Sequence, residues 1–157
     1  MTAARRSILN DEDRDATSTA LQANLVDLID LSLQGKQAHW NLEGPHFRSV
    51  HLELDEIIAT ARLGSDEIAE RMATLGVSPD GRVASVESES RLDPYPGGFQ
   101  TVEATVTAYS DRLAVAISGL RSSIDALADV DPVSQDMLIS ISSQFEKQLW
   151  MLQSQEA

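Results

Sequence analysis

The chain has 157 residues, 42 % hydrophobic and 24 % charged, a globular composition at the size of one compact domain. Its 25 acidic against 12 basic residues leave a net charge of −13, so the average surface repels nucleic acid and anionic membranes and attracts cations. The absence of cysteine excludes disulfides, thiolate zinc sites, iron–sulfur clusters and cysteine nucleophiles, so a metal site must use His, Asp and Glu, donors that suit iron, manganese or zinc.

Residues 1–15 read as a flexible tail, and 16–157 as one helical domain. The start of the chain lacks the apolar core of a secretory signal and no apolar run reaches membrane-spanning length, so a soluble cytoplasmic protein is expected. A first helix is predicted over residues 16–42, with Leu21, Leu25, Leu28 and Ile29 on one side and Gly44-Pro45 ending it. A second, over 46–75, is closed by Gly76. The stretch 77–98 holds Pro79, Pro94 and Pro96 and reads as a long connection, with a short helix over 85–92. A third helix over 99–128 carries Val102, Val106, Tyr109, Leu113, Ile117, Leu120, Ile124 and Leu127 at spacings of three and four. Asp131-Pro132 opens the fourth, where Met137, Ile141, Phe145, Leu149 and Leu152 repeat the pattern. Two helix pairs joined by one long crossover give an all-α, ferritin-like four-helix bundle with a short helix in the crossover. No strand alternation competes.

The second helix carries the chemistry. At roughly 100° per residue, with residue 51 at zero, His51, Asp55, Asp66 and Glu70 fall at about 0°, 40°, 60° and 100°, away from the apolar stripe at about 240° to 340°. Asp55 and Asp66 are about 16 Å apart along the helix, too far to share one ion within a chain. The pairs 51/55 and 66/70 are placed symmetrically about the point between Thr60 and Ala61, so two antiparallel copies bring 51 opposite 70 and 55 opposite 66, and a twofold dimer makes two equal sites related by its axis. Ala59, Thr60, Ala61 and Gly64 are small enough for close helix approach, and His39 could supply a further nitrogen ligand. The competing reading makes the acids surface partners, Arg62 with Asp66 and Glu67 with Arg71, and the histidines caps. Asp66 and Glu70, like charges four residues apart, favour a cation between them. Glu43-Gly44-Pro45-His46 has Glu-x-x-His spacing but is broken by Gly-Pro and has no second copy, which argues against a di-iron centre within one bundle.

The stretches KQAHWNLEGPHFRSVHLELDEII and GSDEIAERMATLG, with the ending EKQLWML, resemble the Dps family of miniferritins. His39, His51, Asp55, Asp66 and Glu70 match that family's ferroxidase ligands in type and spacing, the first three from one subunit and the last two from its twofold mate. The resemblance implies a hollow homo-dodecamer that oxidises Fe(II), preferably with hydrogen peroxide, stores the Fe(III) mineral and protects DNA from oxidative damage; zinc could stand in for iron at the site. It implies an auxiliary role for Trp40 in intercepting oxidising equivalents, an aromatic plug at a helix end being the plainer reading. It implies threefold pores lined by Asp129, Asp131 and Asp136, where helix capping is the alternative for Asp131. His46 stands where a small polar residue is expected and could add a weak ligand. Many Dps proteins bind DNA through Lys-rich tails, and physical compaction of the nucleoid is the alternative function. Here Arg5, Arg6 and Arg14 face Asp11, Glu12, Asp13 and Asp15, and no basic residue follows Met151, so DNA binding is expected to be weak or absent.

Overall fold

A computed structural model describes residues 6–156. Five helices follow in order: α1 Asp11–Asn41, α2 Phe47–Thr74, α3 Val83–Glu89, α4 Val102–Leu127 and α5 Pro132–Gln153. Helix α1 starts five residues before the sequence expectation, so residues 11–15, assigned to the tail, are helical. The reason is local. Asn10 caps the helix by accepting from the Asp13 amide at 2.9 Å, and Asp11, Glu12 and Asp13 put negative charge at the positive end of the helix dipole. Residues 1–5 of the expected tail, including Arg5, lie outside the described residues.

Helix α1 packs chiefly on α2, and α4 on α5. Between α1 and α2 lies a two-residue strand, β1 Leu42–Glu43, which pairs in parallel with β2 Gln100–Thr101 ahead of α4. This pair was not expected, because two residues leave no alternation to read. It sets the end of α1 beside the start of α4. The connection from α2 therefore runs back along the length of α1. Its anchors progress accordingly: Gln22 bonds Asp80, Asp27 accepts from the Arg91 backbone amide and guanidinium at 2.9 and 2.8 Å, and Arg112 ties Gln34 to the Pro94 carbonyl. Asp27 is buried, and its charge is matched by Arg91. The short helix forms at Val83–Glu89, slightly ahead of the expected 85–92. Helix α4 begins at Val102, where the Thr101 side chain caps it, rather than at exposed Phe99.

The core contains Leu21, Leu28, Leu54, Ile58, Leu113 and Phe145, all essentially inaccessible to water. Tyr109 reaches across it and donates to the Leu31 carbonyl at 2.9 Å. A Cβ on Gly35 would lie 2.6 Å from both the Tyr109 hydroxyl and Ile58 Cγ1. A helix-interior glycine costs about 1 kcal/mol against alanine, and here it lets α1 approach α2 and α4 closely.

Candidate metal centre

The turn between α1 and α2 is tight: Gly44 has φ 116 and His46 has φ 65, a left-handed conformation unusual for a residue with a Cβ. The reversal sets the last full turn of α1 against the first turns of α2. His39 and His51 thereby stack with ring centroids 3.6 Å apart and planes 19° from parallel. Each ring is held by the other's backbone. His39 Nδ1 lies 2.7 Å from the His51 carbonyl, and His51 Nδ1 lies 2.9 Å from the His39 carbonyl. A carbonyl oxygen only accepts, so both Nδ1 atoms carry the proton, and in the neutral rings both Nε2 lone pairs are left to bind a metal ion. Phe47 stacks on His51 at 4.9 Å.

Asp55 follows His51 by one helical turn. Its Oδ1 lies 3.5 Å from His39 Nδ1 and accepts a hydrogen bond from Lys36 Nζ at 2.5 Å. The Lys36 hydrogen bond, with smaller contributions from both histidines, outweighs desolvation and holds the carboxyl below the usual aspartate range. One chain therefore brings two imidazoles and one ionised carboxylate to neighbouring turns of α1 and α2, without converging the three on a single point.

Asp66 and Glu70 are exposed on the same stripe of α2, and among the described residues neither carboxylate has a hydrogen-bond or ion-pair partner. The alternative surface pairs with Arg62 and Arg71 do not form; Arg71 turns to Asp131 and Ser134 instead. Within one chain, among the described residues, no group of three or more His, Asp or Glu side chains converges to hold a metal ion. The stripe that carries the carboxylates also exposes Leu52 and Leu63, the latter to 57 %. Two of the four small residues expected to allow close approach are corrected: Ala61 and Gly64 face the chain's own core, Gly64 against Leu28 and Ile141. Ala59 remains exposed.

Trp40, next to His39, is 68 % exposed, so it plugs nothing within its own chain. Asp131 is a correction of a different kind. It is 2 % exposed, pairs with Arg71 at 2.8 Å and accepts a short hydrogen bond from Ser134, so it anchors α5 to α2 rather than lining an opening. Burial pushes its carboxyl up, but the bonds from Arg71 and Ser134 outweigh this and leave it below its ordinary value. Asp129 and Asp136 are exposed nearby. His46 makes no capping bond through its side chain. Sequence reasoning missed Lys36 and Phe47. The signal for Lys36 was its position one turn before His39, on the face that meets α2.

Solved Dps structures share this architecture over nearly the whole chain. The Mycobacterium smegmatis Dps matches with a TM-score of 0.92 at 36 % identity, covering 98 % of this chain and 93 % of that one. The Microbacterium arborescens Dps, solved in a high iron form, matches with a TM-score of 0.89 at 31 % identity, covering 95 % and 97 %. Among curated relatives, the "DNA protection during starvation protein" of Agrobacterium fabrum is 34 % identical over 149 residues, 92 % of each chain. The ferritin-like domain family matches residues 18–156, which sets the class of the bundle. Within that class, the chain belongs to the Dps family. Among the described residues, no helix is long and apolar enough to cross a membrane.

Proposed function

We propose that this protein is a ferroxidase and iron store that takes Fe(II) as substrate and keeps Fe(III) as mineral inside a hollow homo-dodecamer. The observation that carries this reading is the stacked pair His39/His51, with both Nε2 lone pairs free, beside ionised Asp55. Asp66 and Glu70 of a twofold-related copy complete each site. Their lack of partners among the described residues and the exposed Leu52 and Leu63 on the same face support an apposed second chain.

Imidazole nitrogens bind the incoming ferrous ion, while hard carboxylates favour the ferric product, so the mixed donor set drives oxidation forward. Two ferrous ions held together give up one electron each, and with two protons one hydrogen peroxide becomes two waters. Delivering both electrons at one site avoids the one-electron reduction that releases hydroxyl radical, which is how such a protein spares DNA. In this reading, as the likeness to Dps implies, peroxide is the preferred oxidant over oxygen, and zinc would occupy the same donors as a surrogate. Exposed Asp129 and Asp136 supply acid near a threefold entry pore, and Trp40 stands next to the site as an interceptor of oxidising equivalents. The acidic surface makes DNA binding weak or absent, and the protein works in the cytoplasm. Curated relatives from Mycolicibacterium smegmatis and Agrobacterium fabrum bear the name "DNA protection during starvation protein", and protection by chemistry fits this charge better than compaction.

The test is anaerobic Fe(II) loading followed by peroxide, monitored by ferric absorbance, in the wild type and in a His51→Ala, Asp55→Ala double variant. Rapid Fe(III) formation lost in the variant supports the shared site. Equal rates in both would sink it.

A further inference from the structure

The Lys36 ammonium sits 2.5 Å from Asp55 Oδ1, on one of the oxygens a metal ion would need. Carboxylate oxygens bind divalent ions at about 2.0–2.2 Å, and two cations crowded around one oxygen repel strongly in a half-buried site. The ammonium and a metal ion therefore compete for Asp55. Among the described residues nothing comparable blocks the histidines, whose Nε2 lone pairs are turned away from the backbone carbonyls that bind Nδ1.

We propose that Lys36 is a resident counter-cation of the metal site: it holds Asp55 in place while no metal is bound, and the ion that uses Asp55 enters by displacing it. Each pair of metal positions thus loads in two unequal steps. This rests on the reading of Asp55 as a ligand of the shared site.

Four features support it. Lys36 lies on α1 one turn before His39, so its stem spans from the helix carrying one ligand to the helix carrying two more. Its side chain is 23 % exposed, enough for the head to swing toward water when displaced. A lysine suits the role because its compact charge rides on a flexible four-carbon stem, whereas a guanidinium would clasp the carboxylate through two bonds and resist exchange. With Asp55, Asp66 and Glu70 gathered at one site, the ammonium also relieves carboxylate repulsion before any metal arrives. A plain tie between α1 and α2 would require the ion pair too, but would leave metal affinity untouched.

The experiment uses Co(II) as a probe that does not turn over, titrated into the assembled protein with calorimetric and visible-absorption readouts. The wild type, Lys36→Met, Lys36→Arg and the His51→Ala, Asp55→Ala double variant are compared. The expected result is two classes of Co(II) in the wild type, with the weaker class tightening about tenfold in Lys36→Met, the scale of one charge-assisted hydrogen bond. Lys36→Arg keeps the classes apart, and the double variant loses the weaker class and most of the stronger. Two classes unchanged in Lys36→Met, both classes weakened there, or a single class in the wild type overturns the role of Lys36 alone. Co(II) binding in the double variant equal to wild type overturns the shared site and the role of Lys36 with it. Lys36→Gln serves as the second neutral variant if Lys36→Met does not assemble.

Discussion

At the start of α2, His51 and Asp55 are held by their own chain: a ring stack, two bonds to backbone carbonyls and a lysine. About three turns further along the same stripe, Asp66 and Glu70 project with no partner among the described residues. The helix and its face are shared, yet one end is preorganised and the other is not. The difference teaches that α2's acid end is positioned by other means. Arg71, adjacent to Glu70, is locked to Asp131 and Ser134, which fixes the backbone while leaving the carboxylates free. Rigid supports with uncommitted donors are what a site completed from outside the chain requires.

The comparison is broken most forcibly at the acid end. An Asp66→Asn, Glu70→Gln double variant should slow peroxide-dependent Fe(III) formation by roughly two to three orders of magnitude, the scale expected when ligands of a reacting metal are removed. Its folding should be undisturbed or slightly firmer, since like charges four residues apart are relieved. A lowered melting temperature would show that these acids serve the fold.

Asp131→Ala should then destabilise the protein by about 3 kcal/mol, because it strands Arg71 against the bundle. Thermal unfolding at fixed protein concentration is the measurement, with Asp131→Asn as its companion. The sign of the acid dependence follows from the lowered carboxyl. Its contribution is full above the unfolded aspartate value of about 3.9 and is lost as pH falls through the folded one. Asp131→Asn should therefore flatten the acid limb of the stability profile below about pH 4.

His39→Ala touches both chemistry and fold, since the ring is nearly buried and its Nδ1 satisfies the His51 carbonyl. A loss of about 2 kcal/mol is expected alongside the loss of iron oxidation, readable by denaturant titration. The smallest effect belongs to Arg62→Ala. Because the pair with Asp66 does not form, the change in unfolding free energy should stay below about 0.5 kcal/mol, and a larger loss would restore the surface-pair reading.

Much of this was legible in the residues. The four long helices and the polar stripe of α2 follow from a 3.6-residue period that any stretch of chain expresses alone, and the crossover from its prolines. His51, Asp55, Asp66 and Glu70 could be assigned to one face because they share one helix. The small residues at its midpoint were harder. As residue types Ala61 and Gly64 look interchangeable with Ala59, but on the helical wheel Ala61 falls at about 280°, inside the apolar stripe, and Ala59 at about 80°, on the acid side. Gly64, at about 220°, lies at the edge of the stripe, and its neighbours Leu28 and Ile141 show that it is spent on the chain's own core. Asp131 was misread for a related reason: a sequence of aspartates near a helix start looks like surface acid until a distant arginine turns up beside one of them.

The sequence by itself determined the helical class, the cation-attracting charge and the donor types on α2, all properties of composition or of near neighbours. The tertiary structure decided which nitrogen of each histidine is free, that Lys36 covers Asp55, that Arg71 takes Asp131, and that Leu42 pairs with Gln100. These contacts join residues on different elements, 12, 19 and 60 positions apart for the histidine, lysine and arginine bonds. No local period encodes such separations, so they exist only once the helices have packed.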